Sequence, residues 1–86
     1  MSRYRVEFTS AAARAIRKLP KNVRTRLLDA IEELSAEPRP VGARKLAGAE
    51  IAWRIRAGDY RVIYEVEDDL LVVTVVRAAH RREVYR

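Results

Sequence analysis

The sequence closes on AAHRREVYR, which gathers His80, Arg81, Arg82, Arg86 and Tyr85 around Val84. A phenol has an ordinary pKa of about 10, and guanidiniums beside it favour its anion. A second basic group stands earlier, with Arg54 and Arg56 two residues apart and Arg61 just beyond Gly58-Asp59. Residues two apart share one face of a strand. A two-residue turn at Gly58-Asp59 brings Arg61 back beside them, because glycine tolerates positive φ at the first turn position. Asp59 is the only acid close by in sequence, so the three cations oppose one another across strands at a cost in stability. Clustered cations of this kind are the usual footprint of phosphate binding. Taken singly, each arginine is a solvated strand residue whose stem covers apolar surface.

The elements that must position these residues follow from periodicity. Tyr4, Val6 and Phe8 alternate with Arg3, Arg5 and Glu7, the pattern of a half-buried strand. Thr9 or Ser10 can cap a helix running to about Leu19, with Ala12, Ala15, Ile16 and Leu19 on its apolar side. Pro20 breaks that helix and can start the next. Val23, Leu27, Ala30, Ile31 and Leu34 then recur at helical spacing, so Ala11 to Leu34 reads as a helical hairpin. The segment EPRPVGARKLAG reads as a connecting loop. Ile51 to Ala57 alternates, with Ile51, Trp53 and Ile55 on the core face, and Arg61 to Val66 returns with Tyr64 on the same face as Val62 and Val66. Glu67-Asp68-Asp69 is a second turn, and Leu70 to Ala78 is an apolar run suited to a central strand. The fold class is α+β, in the order β-α-α-β-β-β. A small antiparallel sheet carries the N-terminal helical hairpin on one face, as a single domain over residues 1–86.

Bulk composition narrows the partners. The chain has 86 residues, no cysteine and a net charge of +6. Without disulfides or thiolate metal sites it relies on an apolar core, and its positive charge favours an anionic partner, nucleic acid first. One histidine and no cysteine argue against a metal cluster, although carboxylates alone could still hold a magnesium ion; no cofactor is expected. MSRYRVEF has no signal-peptide apolar region, and no apolar run approaches the roughly 20 residues of a membrane span, so a cytoplasmic protein is expected. Arg14, Arg17, Lys18, Lys21, Arg24 and Arg26 have no acid between them. They form either a docking surface for a large polyanion or the solvated outer face of an amphipathic hairpin.

GDYRVIYEV, followed by a turn, an apolar strand and HRREVYR, resembles the RelE toxins of prokaryotic type II toxin–antitoxin systems. YRVEFTSAAARAIRKLP and KLAG…WRIRAGDYR fit the same pattern, so the similarity runs over nearly the whole chain. The resemblance implies the RelE/ParE superfamily fold and a ribosome-dependent endoribonuclease that cuts messenger RNA in the decoding site. It implies a small RelB-like antitoxin as partner, with the ribosome and mRNA as targets. Arg54 and Arg56 stand where such toxins often carry lysines; Arg61, Arg81 and Tyr85 match the remaining motif residues. The change from lysine keeps the charge but removes a group that exchanges a proton more readily.

RNA can be cut without a metal when its own 2′-hydroxyl attacks the adjacent phosphate. That reaction needs a base, cations on the phosphorane-like transition state, and a proton for the leaving 5′-oxygen. Tyr85 is the candidate base, Arg54, Arg56 and Arg61 the phosphate ligands, and Arg81 the stabiliser on the leaving side. His80 either packs at the end of the last strand or donates the leaving-group proton. Tyr60 packs beside the turn or stacks on a base. Val84 is expected to pin the tail to the sheet. Two other functions compete: a ParE-like toxin that poisons DNA gyrase, and a non-catalytic module that binds RNA or protein through the basic face.

Overall fold

A computed structural model describes residues 3–80. Strand β1 spans Arg5–Phe8, helix α1 Ser10–Arg17 and helix α2 Lys21–Glu33, followed by strands β2 (Arg44–Lys45), β3 (Ala52–Ala57), β4 (Tyr60–Glu67) and β5 (Val72–His80). The order is the one periodicity predicts, with the two-residue β2 added inside the segment read as a loop. The sheet order is β1-β5-β4-β3-β2. Neighbouring strands are antiparallel except β1 and β5, which run parallel. The sheet is therefore mixed; its middle strand is β4, and β5 is an interior strand between β1 and β4.

Thr9 starts α1 by accepting a hydrogen bond from the Ala12 amide at 3.1 Å, satisfying one of the free N–H groups of the first turn. Pro20 is the N-cap of α2. Between the helices, Arg24 Nη1 donates to the carbonyl of Arg17 at 3.2 Å and more weakly to that of Leu19 at 3.5 Å, giving the end of α1 a cationic cap. One member of the basic helical set is thus structural.

The helices bury Ala12, Ile16, Leu27, Ile31 and Leu34 against one sheet face. That face supplies Ile55, Ala57, Val62, Tyr64, Val66, Val73, Val75 and Ala78. Tyr64 is fully buried, and its hydroxyl donates to the Pro38 carbonyl at 2.7 Å. Burial pushes its phenol up to about 12, against a smaller opposing pull from Arg39. Trp53 and Ile51 are less covered than their alternation predicts. Trp53 is half-buried beneath the Arg39 guanidinium, 5.4 Å from the ring centroid, while Ile51 precedes β3 and is 40% exposed.

The last hairpin differs from expectation at its turn. Leu70 and Leu71 belong to the turn, with amides bonded to the carbonyls of Glu67 and Asp68, and Leu71 takes φ 54. The strand therefore starts at Val72 and reaches His80, beyond the expected end at Ala78. Asp68 anchors this turn: it accepts from Tyr4 Oη at 2.7 Å and from both terminal nitrogens of Arg39 at 3.2 and 2.8 Å. These bonds hold its carboxyl below the usual range, with Arg39 the larger cause, and the Asp68 bond raises the Tyr4 phenol.

Candidate nucleic-acid interface

Side chains directly opposite one another in a sheet lie on the same face, so the register locates the arginines. Arg56 faces Arg61 and Arg54 faces Ile63 across β3 and β4. Arg44 of β2 faces Arg54, and Arg61 faces Ala79 of β5. None of these residues belongs to the core cluster under the helices. The expected convergence of Arg54, Arg56 and Arg61 is present, on the face away from the hairpin.

The turn that joins them fits its sequence. Ala57 pairs with Tyr60, leaving Gly58-Asp59 as a two-residue loop, with Gly58 at φ 64. Of the two loop residues only the first has positive φ, as glycine there permits. The turn is thus short enough to oppose Arg56 directly to Arg61.

The three arginines differ in exposure. Arg61 is only 7% exposed, Arg54 is intermediate and Arg56 is exposed. A cleft of about 270 Å³ opens here, lined by Gly42, Arg44, Arg54, Ile55, Arg56 and Arg61. Among the described residues the ion pairs are Arg5 with Glu7 and Arg39 with Asp68, so no described carboxylate pairs with Arg44, Arg54 or Arg56. The acids gather at the other end of the sheet, where a larger cleft of about 500 Å³ is lined by Glu50, Glu67, Asp68 and Asp69. Along β4, Arg61 and Glu67 are separated by roughly 20 Å at 3.3 Å per residue. The sheet is electrically polarised: arginines line the smaller cleft and mostly acids the larger one.

His80 lies at the end of β5 opposite Tyr60, the two rings meeting edge to face with centroids 5.5 Å apart. Tyr60 packs against the core, so His80 shares the helix side of the sheet, whereas Arg61 and Ala79 share the other. Arg81, Arg82, Val84, Tyr85 and Arg86 lie outside the described residues.

Two basic residues on the arginine face were not singled out from sequence, Arg44 and Arg77. Arg44 sits in β2, too short to show a pattern. Arg77 faces Ile63 because the β4–β5 register shifts between Ile63 and Tyr64. Tyr64 pairs with Val75 and Ile63 with Arg77, leaving Val76 as a bulge. Without that extra residue, Arg77 would point to the core.

These features define a small, strongly basic α+β protein with an arginine-lined sheet face opposite its helices. A family model described as "ParE toxin of type II toxin-antitoxin system, parDE" matches residues 6–85. The chain is 38% identical to "Toxin RelG" of Mycobacterium tuberculosis (strain ATCC 25618 / H37Rv), covering 96% of this chain and 97% of that protein. It is 35% identical to "mRNA interferase toxin RelE" of Escherichia coli (strain K12), covering 95% and 90%. Its fold matches the toxin chain in the crystal structure of the archaeal RelE–RelB complex from Pyrococcus horikoshii OT3, with a TM-score of 0.82, 33% identity, and coverage of 92% and 96%. The chain belongs to the RelE family of type II toxins, within the RelE/ParE superfamily.

Proposed function

We propose that this protein, as one toxin domain over residues 1–86, is a ribosome-dependent endoribonuclease that cuts messenger RNA and is held inactive by a small RelB-like antitoxin. The observation that carries the reading is Arg61, nearly buried and directly opposite Arg56, on a sheet face with Arg54 and away from the acidic end. The names of the Mycobacterium tuberculosis and Escherichia coli relatives support the RelE branch over a gyrase poison. Among the described residues, no helix is long and apolar enough to cross a membrane, and the site of action is the cytoplasm, where ribosomes are.

In this mechanism Arg54 and Arg56 bind the phosphate backbone, and Arg61 holds the scissile phosphate. Low exposure strengthens Arg61's field, since less water screens it. Tyr85 takes the proton of the 2′-hydroxyl, whose oxygen attacks phosphorus. The bond from phosphorus to the 5′-oxygen breaks, leaving a 2′,3′-cyclic phosphate. Arg81 stabilises charge on the departing oxygen, which takes a proton from solvent water as it leaves. The edge-to-face contact of His80 with Tyr60, on the other side of the sheet from Arg61, favours a packing role for this histidine over proton donation.

The test is cleavage of a message on programmed ribosomes, with and without a single 2′-deoxy nucleotide at the scissile position. The reading expects cleavage of the unmodified message and none of the modified one. Equal cleavage of both would remove the 2′-hydroxyl mechanism. No cleavage, with inhibition of DNA gyrase supercoiling instead, would establish the ParE-like function.

A further inference from the structure

The register of β5 carries a consequence for how far the RNA contacts extend. Arg44, Arg54, Ile63 and Arg77 lie side by side on consecutive strands β2, β3, β4 and β5, on the face that also bears Arg56 and Arg61. Strands are roughly 4.8 Å apart, so this row spans about 14 Å of backbone, and long arginine stems at its ends extend it. Ile63, half-buried between Arg54 and Arg77, is the apolar member of the row.

Arg77 is exposed and joins no described carboxylate in an ion pair. The carboxylate nearest to it by register on this face is Glu65, two residues along β4 from Ile63, and the two do not pair. Strand β1 stops at Phe8, opposite Val75, leaving the outer flank of Arg77 uncovered by the sheet. The bulge that turns Arg77 to this side is held in place from the N-cap of α1: the Thr9 amide bonds the Val75 carbonyl at 3.0 Å, and Thr9 Oγ1 donates to the Val76 carbonyl at 3.4 Å. A bulge that re-aims a side chain beside a candidate site is a recurrent device.

Resting on the reading of this face as the RNA site, we propose that Arg77 and Arg44 are further RNA-binding residues. They hold the phosphates that flank the scissile one, so that the contact track crosses the sheet from β2 to β5. Ile63 forms its floor, where the face of an unstacked base lies between two guanidinium planes. Grooves that follow a single strand combine backbone cations with such platforms. The flanking contacts set affinity and register of the RNA, and Arg61 acts on the reacting phosphate.

The test is fluorescence anisotropy of a short single-stranded 2′-O-methyl RNA, which cannot be cleaved by 2′-attack, titrated with the full chain over a range of salt. Arg77→Gln and Arg44→Gln are each expected to weaken binding several-fold and to lower the salt slope by about 0.7, the loss of one phosphate contact to a single strand. Arg77→Lys keeps the charge and is expected to keep the slope. Arg3→Gln, an exposed change before β1, controls for net charge. If Arg77→Gln and Arg44→Gln match wild type while Arg54→Gln loses affinity, the extended track is wrong and the RNA site stands. If Arg54→Gln also binds as wild type, the RNA reading of the face falls and the track falls with it.

Discussion

Arg56 and Arg61 directly oppose each other across an antiparallel pair, a placement of like charges that costs stability. Replacing Arg56 by glutamate inverts the pair. Directly opposed charges each contribute roughly 0.2–1 kcal/mol, unfavourable when alike and favourable when opposite. Reversal therefore removes one such term and adds another, a gain of roughly 1 kcal/mol, and the low exposure of Arg61 reduces the screening that would diminish it. For a domain of this size that gain raises Tm by about 4–8 °C. Arg56→Gln should deliver about half of it. Thermal melts by circular dichroism read the effect, and the gain should shrink, without vanishing, in 1 M salt, where the Debye length is about 3 Å. The more stable Arg56→Glu protein should bind single-stranded RNA many-fold more weakly. A Tm that stays level or falls at low salt would refute the reasoning, as would a stabilised variant that binds RNA like wild type.

Tyr64→Phe removes the buried hydroxyl that satisfies the Pro38 carbonyl and should cost about 1–2 kcal/mol in urea melts. The folded phenol titrates at about 12 rather than 10.0, so its neutral form is favoured by folding. That stability is full below pH 10 and is lost as pH climbs towards 12, so the wild-type and Tyr64→Phe curves should converge there. Leu71 holds φ 54, a conformation that costs a non-glycine residue roughly 1–2 kcal/mol and that asparagine accepts more readily. Leu71→Asn should raise Tm by a few degrees in the same melts. Deleting Arg81 to Arg86 should leave a folded protein, judged by a cooperative melt, that no longer arrests growth when expressed; an unfolded product would make the tail structural.

Much of the fold was legible because periodicity reports burial. Leu27, Ile31 and Leu34 recur at helical spacing, and all three are in the core. The apolar members of β4 alternate, and Val62, Tyr64 and Val66 face the helices. Arg54, Arg56 and Arg61 could be placed together because one glycine fixes the turn and the turn fixes the register. Legibility fails where a local event changes the phase. The run Leu70 to Ala78 contains too few polar residues to mark its faces, so neither the turn at Leu71 nor the bulge at Val76 leaves a signal, and Arg77 could not be assigned to a side. Arg39 was equally hidden: its partners Asp68 and Trp53 are brought to it only by the folded loop. Arg44 lies in a strand of two residues, below any period. Arg81 and Tyr85 were legible only as a motif, since a four-residue spacing with no periodic pattern around it fixes no geometry.

The central claim is that the arginine face, with Tyr85, cuts messenger RNA. Its most direct test is primer extension on messages in programmed ribosomes, with wild type beside Arg61→Met and Tyr85→Phe, each variant first matched to wild type by its melt. Removing a group that stabilises or forms the transition state lowers rates by roughly 10²–10³-fold, so codon-phased stops with wild type and their near loss in both variants are expected. Stops of equal strength in wild type and the folded variants would contradict the account, because the cut would then be made without the residues placed at its centre.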